Sequence, residues 1–240
     1  MGHYRRGAGA SKPPRRRLPE GPGGADPRPR PGAGRTERRG VISGVVLAAG
    51  TSSRFGRPKQ LLDLGGIPVL RHVLDAAVAG GLDEVVVVLG HHAREIVDAV
   101  PPTGRVRIAS NPQYADGQST SLRTGLQAVE AGSEAAVILL GDQPWVRPDA
   151  IAAVVAVFRN GNGPVVQATY EGRPAHPTLL GRSVWATVVE ESEGDEGARA
   201  VLSRHPEWVA AVEVGGAPPE DIDTEEDYAR LLSRMDSTSS

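Results

Sequence analysis

The chain has 240 residues, 39% of them hydrophobic and 23% charged, a balance that excludes fibrous and wholly disordered classes and reads as soluble and globular. Its net charge of −2 divides unevenly, because residues 1–40 hold 11 Lys and Arg against 3 Asp and Glu, leaving 16 against 26 in the rest. The absence of cysteine excludes disulfides, thiolate metal sites and cysteine nucleophiles, and accords with an expected cytoplasmic location.

Residues 1–40 also contain 7 of the 20 prolines and 9 of the 30 glycines, with few large apolar side chains. Such a segment cannot offset the entropy of ordering itself, so a disordered basic tail is expected over 1–40. No apolar core follows its arginines, as a signal peptide would require. The tail reads as an extension outside the chemistry, and specific nucleic-acid binding is not expected of it. Apolar runs such as Val45 to Ala49 stop well short of the roughly 20 residues that span a bilayer, so no membrane partner is expected.

From Val41 onward, short apolar runs alternate with helical patterns, which predicts a parallel sheet with crossover helices. Strands are predicted at Val45 to Ala49, Val85 to Leu89, Val106 to Ser110 and Ala136 to Leu140, near-continuous runs that suit burial on both faces. Helices are predicted over Pro68 to Ala79, Ala93 to Val100, Ser119 to Ala131 and Arg147 to Arg159, the last with Pro148 in a first turn that tolerates it. Beyond Gly163 the pattern is less regular. Strands are predicted at Val165 to Tyr170 and Trp208 to Val214, and helices at Ser183 to Glu191, Glu196 to Ser203 and Thr224 to Ser233, where Thr224 and Asp227 resemble a capping pair. The segment around His176 reads as irregular. One α/β domain over 41–233 is expected, followed by a flexible C-terminus at 234–240.

The most informative stretch follows the first strand: Leu47-Ala48-Ala49-Gly50-Thr51-Ser52-Ser53-Arg54-Phe55-Gly56-Arg57-Pro58-Lys59. Ligands of open α/β sheets lie beyond the carboxyl ends of strands, and small residues there let backbone N–H groups approach phosphate oxygens. Arg54 and Lys59 add positive charge, so this is a candidate anion cradle. It is not a Walker A loop, since Gly56 is followed by Arg57-Pro58-Lys59 and not by Lys and a hydroxyl residue. No G-x-G-x-x-G occurs at a strand end.

This stretch, continued by Gln60-Leu61-Leu62, closely resembles the signature of the molybdenum-cofactor nucleotidyltransferase family, the MobA-like NTP transferases. Gly117-Gln118-Ser119-Thr120-Ser121-Leu122-Arg123-Thr124-Gly125-Leu126, Gly141-Asp142-Gln143-Pro144, Arg173-Pro174-Ala175-His176-Pro177 and Gly194-Asp195-Glu196-Gly197-Ala198-Arg199 resemble later motifs of the family in the right order. Ala175 stands where Gly is usual. The resemblance covers roughly residues 43–233 and implies a three-layer α/β/α, Rossmann-like fold with a mostly parallel sheet, of the nucleotide-diphospho-sugar transferase type.

The resemblance implies that Leu47, Ala48, Ala49, Gly50, Ser52, Ser53, Arg54 and Lys59 wrap the nucleotide, with Arg54 and Lys59 on its phosphates. Asp142, at the end of the fourth strand, is a candidate ligand for Mg²⁺, a hard ion that takes one or two carboxylates and leaves other positions to water and phosphate. Asp223 is its implied partner, preferred over Asp221 by resemblance alone. Ser119 and Ser121 suit helix capping and equally the holding of a base or ribose. Asn111 matches a family asparagine but is also an ordinary turn signal before proline. Gly90 lets a base lie close to backbone.

His176, Asp195 and Arg199 are candidates for binding the acceptor. His176 could instead fix a loop between two prolines, and Arg199 could pair with Glu190 or Glu191. His91 and His92 are adjacent, a poor spacing for a metal pair. Leu-Ala-Ala-Gly is typical of the cytidylyltransferase branch, so Ala49 points to CTP, with molybdopterin or its molybdenum form as acceptor. A molybdenum hydroxylase apoenzyme is the implied recipient. A different phosphorylated acceptor with GTP or UTP is the nearer alternative, and a non-catalytic nucleotide-binding chaperone or regulator the more distant one.

Overall fold

The computed structural model describes residues 40–50 and 55–238. The expectations for the tail over 1–39 and for Ser52, Ser53 and Arg54 lie outside the described residues. Strand β1 (Val41–Leu47) leads through the candidate cradle to a 3₁₀ turn (Lys59–Leu61) and a small hairpin of β2 (Asp63–Leu64) and β3 (Ile67–Pro68). Next come α1 (Val69–Ala79), β4 (Glu84–Leu89), α2 (Ala93–Ala99), β5 (Val106–Ser110), α3 (Gln118–Ala128), β6 (Ser133–Leu140) and α4 (Pro148–Arg159). The second half adds β7 (Val165–Tyr170), β8 (Arg173–Gly181), α5 (Trp185–Glu191), α6 (Arg199–Arg204), β9 (Val209–Glu213) and α7 (Glu225–Thr238).

Seven strands form one sheet in the order β5-β4-β1-β6-β8-β7-β9, with β8 antiparallel to both neighbours and every other pairing parallel. Alternate side chains of each strand enter opposite layers, as the two-residue period requires. Ile42, Val46 and Ala48 pack with Leu70, Val73 and Leu74 of α1 and Ile151 and Val154 of α4. Val45, Leu47 and Ala49 pack with Leu122 and Leu126 of α3, Val188 of α5 and Val201 of α6. Burial on both faces explains why all six residues of β4 are inaccessible. The architecture is the expected three-layer α/β/α fold. Among the described residues, no helix is long and apolar enough to cross a membrane.

Strand β8 corrects the expectation of an irregular segment around His176. Pro174 and Pro177 mask the strand signal, because proline cannot donate to a ladder. Between Gln167↔Thr178 and Ala168↔Ala175 the register shifts, leaving His176 and Pro177 as a bulge. A bulge suspends the ladder where proline has nothing to donate and re-aims the adjacent side chain. The last helix is also longer than predicted, running past Ser233 to Thr238 into the segment expected as a flexible tail. Its start is the predicted capping pair: Thr224 N and Asp223 N donate to Asp227 Oδ2, and Asp227 N donates to Thr224 Oγ1.

The amino ends of the strands are joined by a buried carboxylate. Glu84 Oε1 accepts from Ser43 Oγ at 2.7 Å and Glu130 N at 2.5 Å, while Oε2 accepts from Arg107 Nη2 at 2.5 Å. Burial alone would raise its pKa, but these donors outweigh burial and hold it below the ordinary 4.5. A depressed folded pKa contributes stability above the unfolded value and loses it as pH falls through the folded one. Glu84→Gln is therefore expected to cost about 1–3 kcal/mol at pH 7. The difference from the parent should shrink below about pH 4.5 in denaturant titrations. A gap that stayed constant with pH would contradict the role given to the charge.

Candidate active site

The opposite, carboxyl ends of β1 and β6 are locked side by side. Gly141 N donates to Leu47 O at 2.9 Å, and a Cβ at Gly141 would lie 2.7 Å from Ala48 Cβ. Only glycine permits that approach, and Asp142 follows it directly in the chain. Gly125 does the same from the helical layer, since a Cβ there would come within 2.3 Å of Val45 Cγ1. The second half of α3 is thereby held against β1 and β4. Leu47, Ala48 and Ala49 are buried and Gly50 is exposed, and among the described residues nothing lies within 4 Å of where its side chain would begin.

The chain returns to this point at Lys59. Gln60, 2% exposed, donates from Nε2 to Ala48 O at 3.1 Å and ties the 3₁₀ turn back to the strand end. Lys59 Nζ then lies 2.5 Å from Asp142 Oδ2 and 3.0 Å from Asp223 Oδ1. Burial works to lower the lysine pKa, but the two carboxylates outweigh it and hold the ammonium above its ordinary range. One cation thus sits between two carboxylates that come from opposite ends of the sequence.

Asp223 reaches this position through a separate small core. Ile222 is fully buried with Leu62, Leu64, Val69 and Leu231, joining the β2–β3 hairpin, α1 and α7. Ile222 N donates to Asp142 O at 3.2 Å, and Gln143 Nε2 donates to Asp221 Oδ1 at 2.8 Å. Burial, followed by the negative charge of Asp142, raises the pKa of Asp221. The two neighbouring aspartates are therefore distinguished: Asp223 shares Lys59 with Asp142, whereas Asp221 is bound by Gln143. Gln60 and Gln143 were not anticipated as site residues, and a glutamine beside a charged motif residue carries no signal that it will be buried.

The donor set fits a hard divalent cation. Two aspartate oxygens already flank one positive charge, and Mg²⁺ takes few protein carboxylates beside water and phosphate. Among the described residues, no group of three or more His, Cys, Asp or Glu forms a fuller cage.

Asn111 is 1% exposed, and its amide is engaged within the protein. Nδ2 donates to Thr120 Oγ1 at 2.9 Å and to Ser121 Oγ at 3.0 Å, and Oδ1 accepts from Gln113 N at 2.9 Å. Asn111 and Ser121 therefore join the end of β5 to α3. The capping expectation for Ser119 and Ser121 needs correction: the residue preceding α3 is Gly117, and both serines lie inside the first turn, buried. Gly90 accommodates the ring of Tyr114, whose Cβ lies 2.4 Å from where a Gly90 Cβ would be.

At the bulge, His176 Nδ1 donates to Ile138 O at 3.2 Å, which leaves Nε2 as the acceptor nitrogen. Burial is the main cause of its lowered pKa. Arg199 pushes the same way, while the Ile138 carbonyl and Asp142 oppose. His176, Asp142 and Arg199 are thus brought within electrostatic range of one another. Glu191 is engaged by Arg204 at 2.9 Å, not by Arg199. Asp195 and Arg199 are exposed, and Asp195 lies on a 3₁₀ turn against the start of α3.

The chain as a whole is similar to known proteins. Residues 44–209 match the family model of the MobA-like NTP transferase domain. The chain is 38% identical over 149 residues to the bifunctional protein GlmU of Sorangium cellulosum, covering 59% of this chain and only 31% of that relative. It is 30% identical over 200 residues to nicotine blue oxidoreductase of Paenarthrobacter nicotinovorans, covering 80% of this chain and 96% of the relative. The crystal structure of Rv0371c from Mycobacterium tuberculosis H37Rv aligns with a TM-score of 0.72 at 32% identity, covering 81% of this chain and 98% of the other. The same protein has been crystallised in complex with manganese. By fold, motif order and extent of match, the chain belongs to the MobA-like NTP transferase family.

Proposed function

We propose that the protein is a Mg²⁺-dependent nucleotidyltransferase that transfers CMP from CTP to molybdopterin, or to its molybdenum form, with release of pyrophosphate. The observation that carries this reading is the pair of carboxylates, Asp142 and Asp223, sharing one cation beside the loop after β1. Residues 41–233 would form the catalytic unit. Asp142 and Asp223 would hold the metal ion, which when bound neutralises charge on the triphosphate.

In the proposed reaction an oxygen of the acceptor phosphate forms a bond to the α-phosphorus of CTP. The bond from that phosphorus to the bridging oxygen breaks, and its electron pair leaves with pyrophosphate. The acceptor oxygen is already an anion at neutral pH, so no general base is needed. The work left to the protein is alignment and charge neutralisation. Lys59 and the backbone N–H groups beyond β1 supply positive charge, with Arg54 assigned the same part by resemblance. His176, Asp195 and Arg199 are assigned to the acceptor. A neutral His176 can accept a hydrogen bond through Nε2, and Arg199 can meet a phosphate.

The choice of CTP rests on the resemblance of Leu47-Ala48-Ala49-Gly50 to the cytidylyltransferase branch. The completed dinucleotide cofactor would pass to a molybdenum hydroxylase apoenzyme. Pyrophosphate release from each of the four ribonucleoside triphosphates, with and without molybdopterin and with Mg²⁺ or Mn²⁺, tests the assignment. Release is expected only with molybdopterin present and fastest from CTP. Fastest release from UTP or GTP with another phosphorylated acceptor would refute it in favour of a different transferase. Nucleotide binding without release under any condition would favour a non-catalytic nucleotide-binding protein.

A further inference from the structure

Tyr114 has no part in the chemistry described above, yet it stands at the ends of the strands that carry it. Ala48 N donates to Val88 O at 3.0 Å and Asn111 N to Leu89 O at 2.7 Å, so the carboxyl ends of β1, β4 and β5 are drawn level. Ala49 and Tyr114 both pack into the layer covered by α3. Gly90 continues β4 at the same level. A Cβ on Gly90 would lie 2.4, 2.6 and 2.8 Å from Tyr114 Cβ, Cγ and Cδ1, so the ring occupies the volume a side chain at 90 would fill.

The other end of the ring is also held. Tyr114 Oη lies 3.2 Å from His91 Nδ1, with the two ring centroids 5.6 Å apart. Consecutive residues of one strand end thus fix the tyrosine, Gly90 beneath it and His91 at its rim. Tyr114 is half-buried and keeps part of its surface open. A flat side chain fixed at both ends and open on one side is suited to meeting a planar ring.

On the reading of the site as a nucleotidyltransferase, we propose that Tyr114 sets the size of the nucleoside base accepted. With the phosphates assigned by resemblance to the carboxyl end of β1, the base is assigned to the neighbouring strand ends. There the Tyr114 ring limits the site over β4. A one-ring pyrimidine stops short of the tyrosine, and a two-ring purine meets it. Gly90 is the reason the plate can sit so low, since any side chain at that position would push the start of Tyr114 away from the sheet. The close approach anticipated for a base at Gly90 is made by a protein ring that the base then meets.

The test compares CTP with GTP, by pyrophosphate release and by equilibrium binding, in the parent and in Tyr114→Ala, Tyr114→Leu and Tyr114→Phe. Alanine is expected to lower the CTP-to-GTP ratio of kcat/KM, and of binding constants, about tenfold through a gain on GTP, the scale at which an apolar pocket discriminates size. Phenylalanine keeps the plate and should keep the ratio. Leucine preserves apolar contact over Gly90 but not the plane, and serves if alanine fails to fold. Unchanged ratios in a folded alanine or leucine variant would overturn the role of Tyr114. Absence of pyrophosphate release from the parent would instead defeat the transferase reading, and the binding ratio would still decide for or against Tyr114.

Discussion

Asp142→Ala is expected to slow pyrophosphate release by about 10²–10³-fold, the range for removing one group that stabilises developing charge. It removes one of the two carboxylates that flank Lys59 and leaves Asp223 in place. The fold should survive, because Asp142 is bound into the structure through its backbone. Its carbonyl, which accepts from Ile222 N at 3.2 Å, is retained by alanine. Removal also relieves Asp221 of a nearby negative charge that raises its pKa. Asp142→Asn separates charge from shape: if charge is what matters, the amide should be nearly as damaging as alanine. Thermal melting beside a pyrophosphate assay reads both quantities, and turnover unchanged from the parent would remove Asp142 from the mechanism.

The carboxylate pair also marks how far the sequence could be read. Asp142 was legible because it follows an apolar strand run, and ligands of α/β sheets lie at that end. The loop after β1 was legible for the same reason. Asp223 was not, because what places it is Ile222 entering a small core with Leu62, Leu64 and Leu231, a long-range contact that no local pattern encodes. Spacing alone left Asp221 and Asp223 equivalent. Their difference arises from Gln143 and Lys59, each of which reaches one of the two from far along the chain.

Strand β8 was hidden for another reason. Two prolines within five residues argue against a strand, and the bulge that accommodates His176 and Pro177 exists only in relation to β7. Asn111 admits two readings from the sequence. The Asn-Pro turn signal was correct, and the same side chain also joins β5 to α3 through Thr120 and Ser121. The layers themselves were legible because strands covered on both faces are nearly continuous apolar runs, and β4 after Glu84 is Val-Val-Val-Val-Leu. The opposed charges of the tail and the remainder carried no information on the site, where a lysine and two aspartates lie within contact distance of each other.

Gly117→Ala should have the largest effect on stability among the motif glycines, because it combines strain with a backbone collision. Gly117 has φ +109° and ψ 171°, a region essentially reserved for glycine and costing other residues about 1–3 kcal/mol. A Cβ there would also lie 2.4 Å from Gly194 C and 2.5 Å from Gly194 O, and backbone cannot yield as a side-chain tip can. The turn carrying Asp195 would have to retreat from the start of α3. A loss of roughly 2–3 kcal/mol corresponds to a fall in Tm of about 4–12 °C for a domain of this size. If that turn serves the acceptor, acceptor KM should rise about tenfold, on the scale of 1.4 kcal/mol, while nucleotide KM changes little. Gly194→Ala is the control. Gly194 also has a positive φ, +53°, but a Cβ on it would meet nothing within 4 Å among the described residues, so it carries positive-φ strain of its own without the collision. Its Tm should fall by clearly less. Equal losses in the two variants would mean that the approach of the two turns adds nothing, and the cost would then lie in local backbone strain alone.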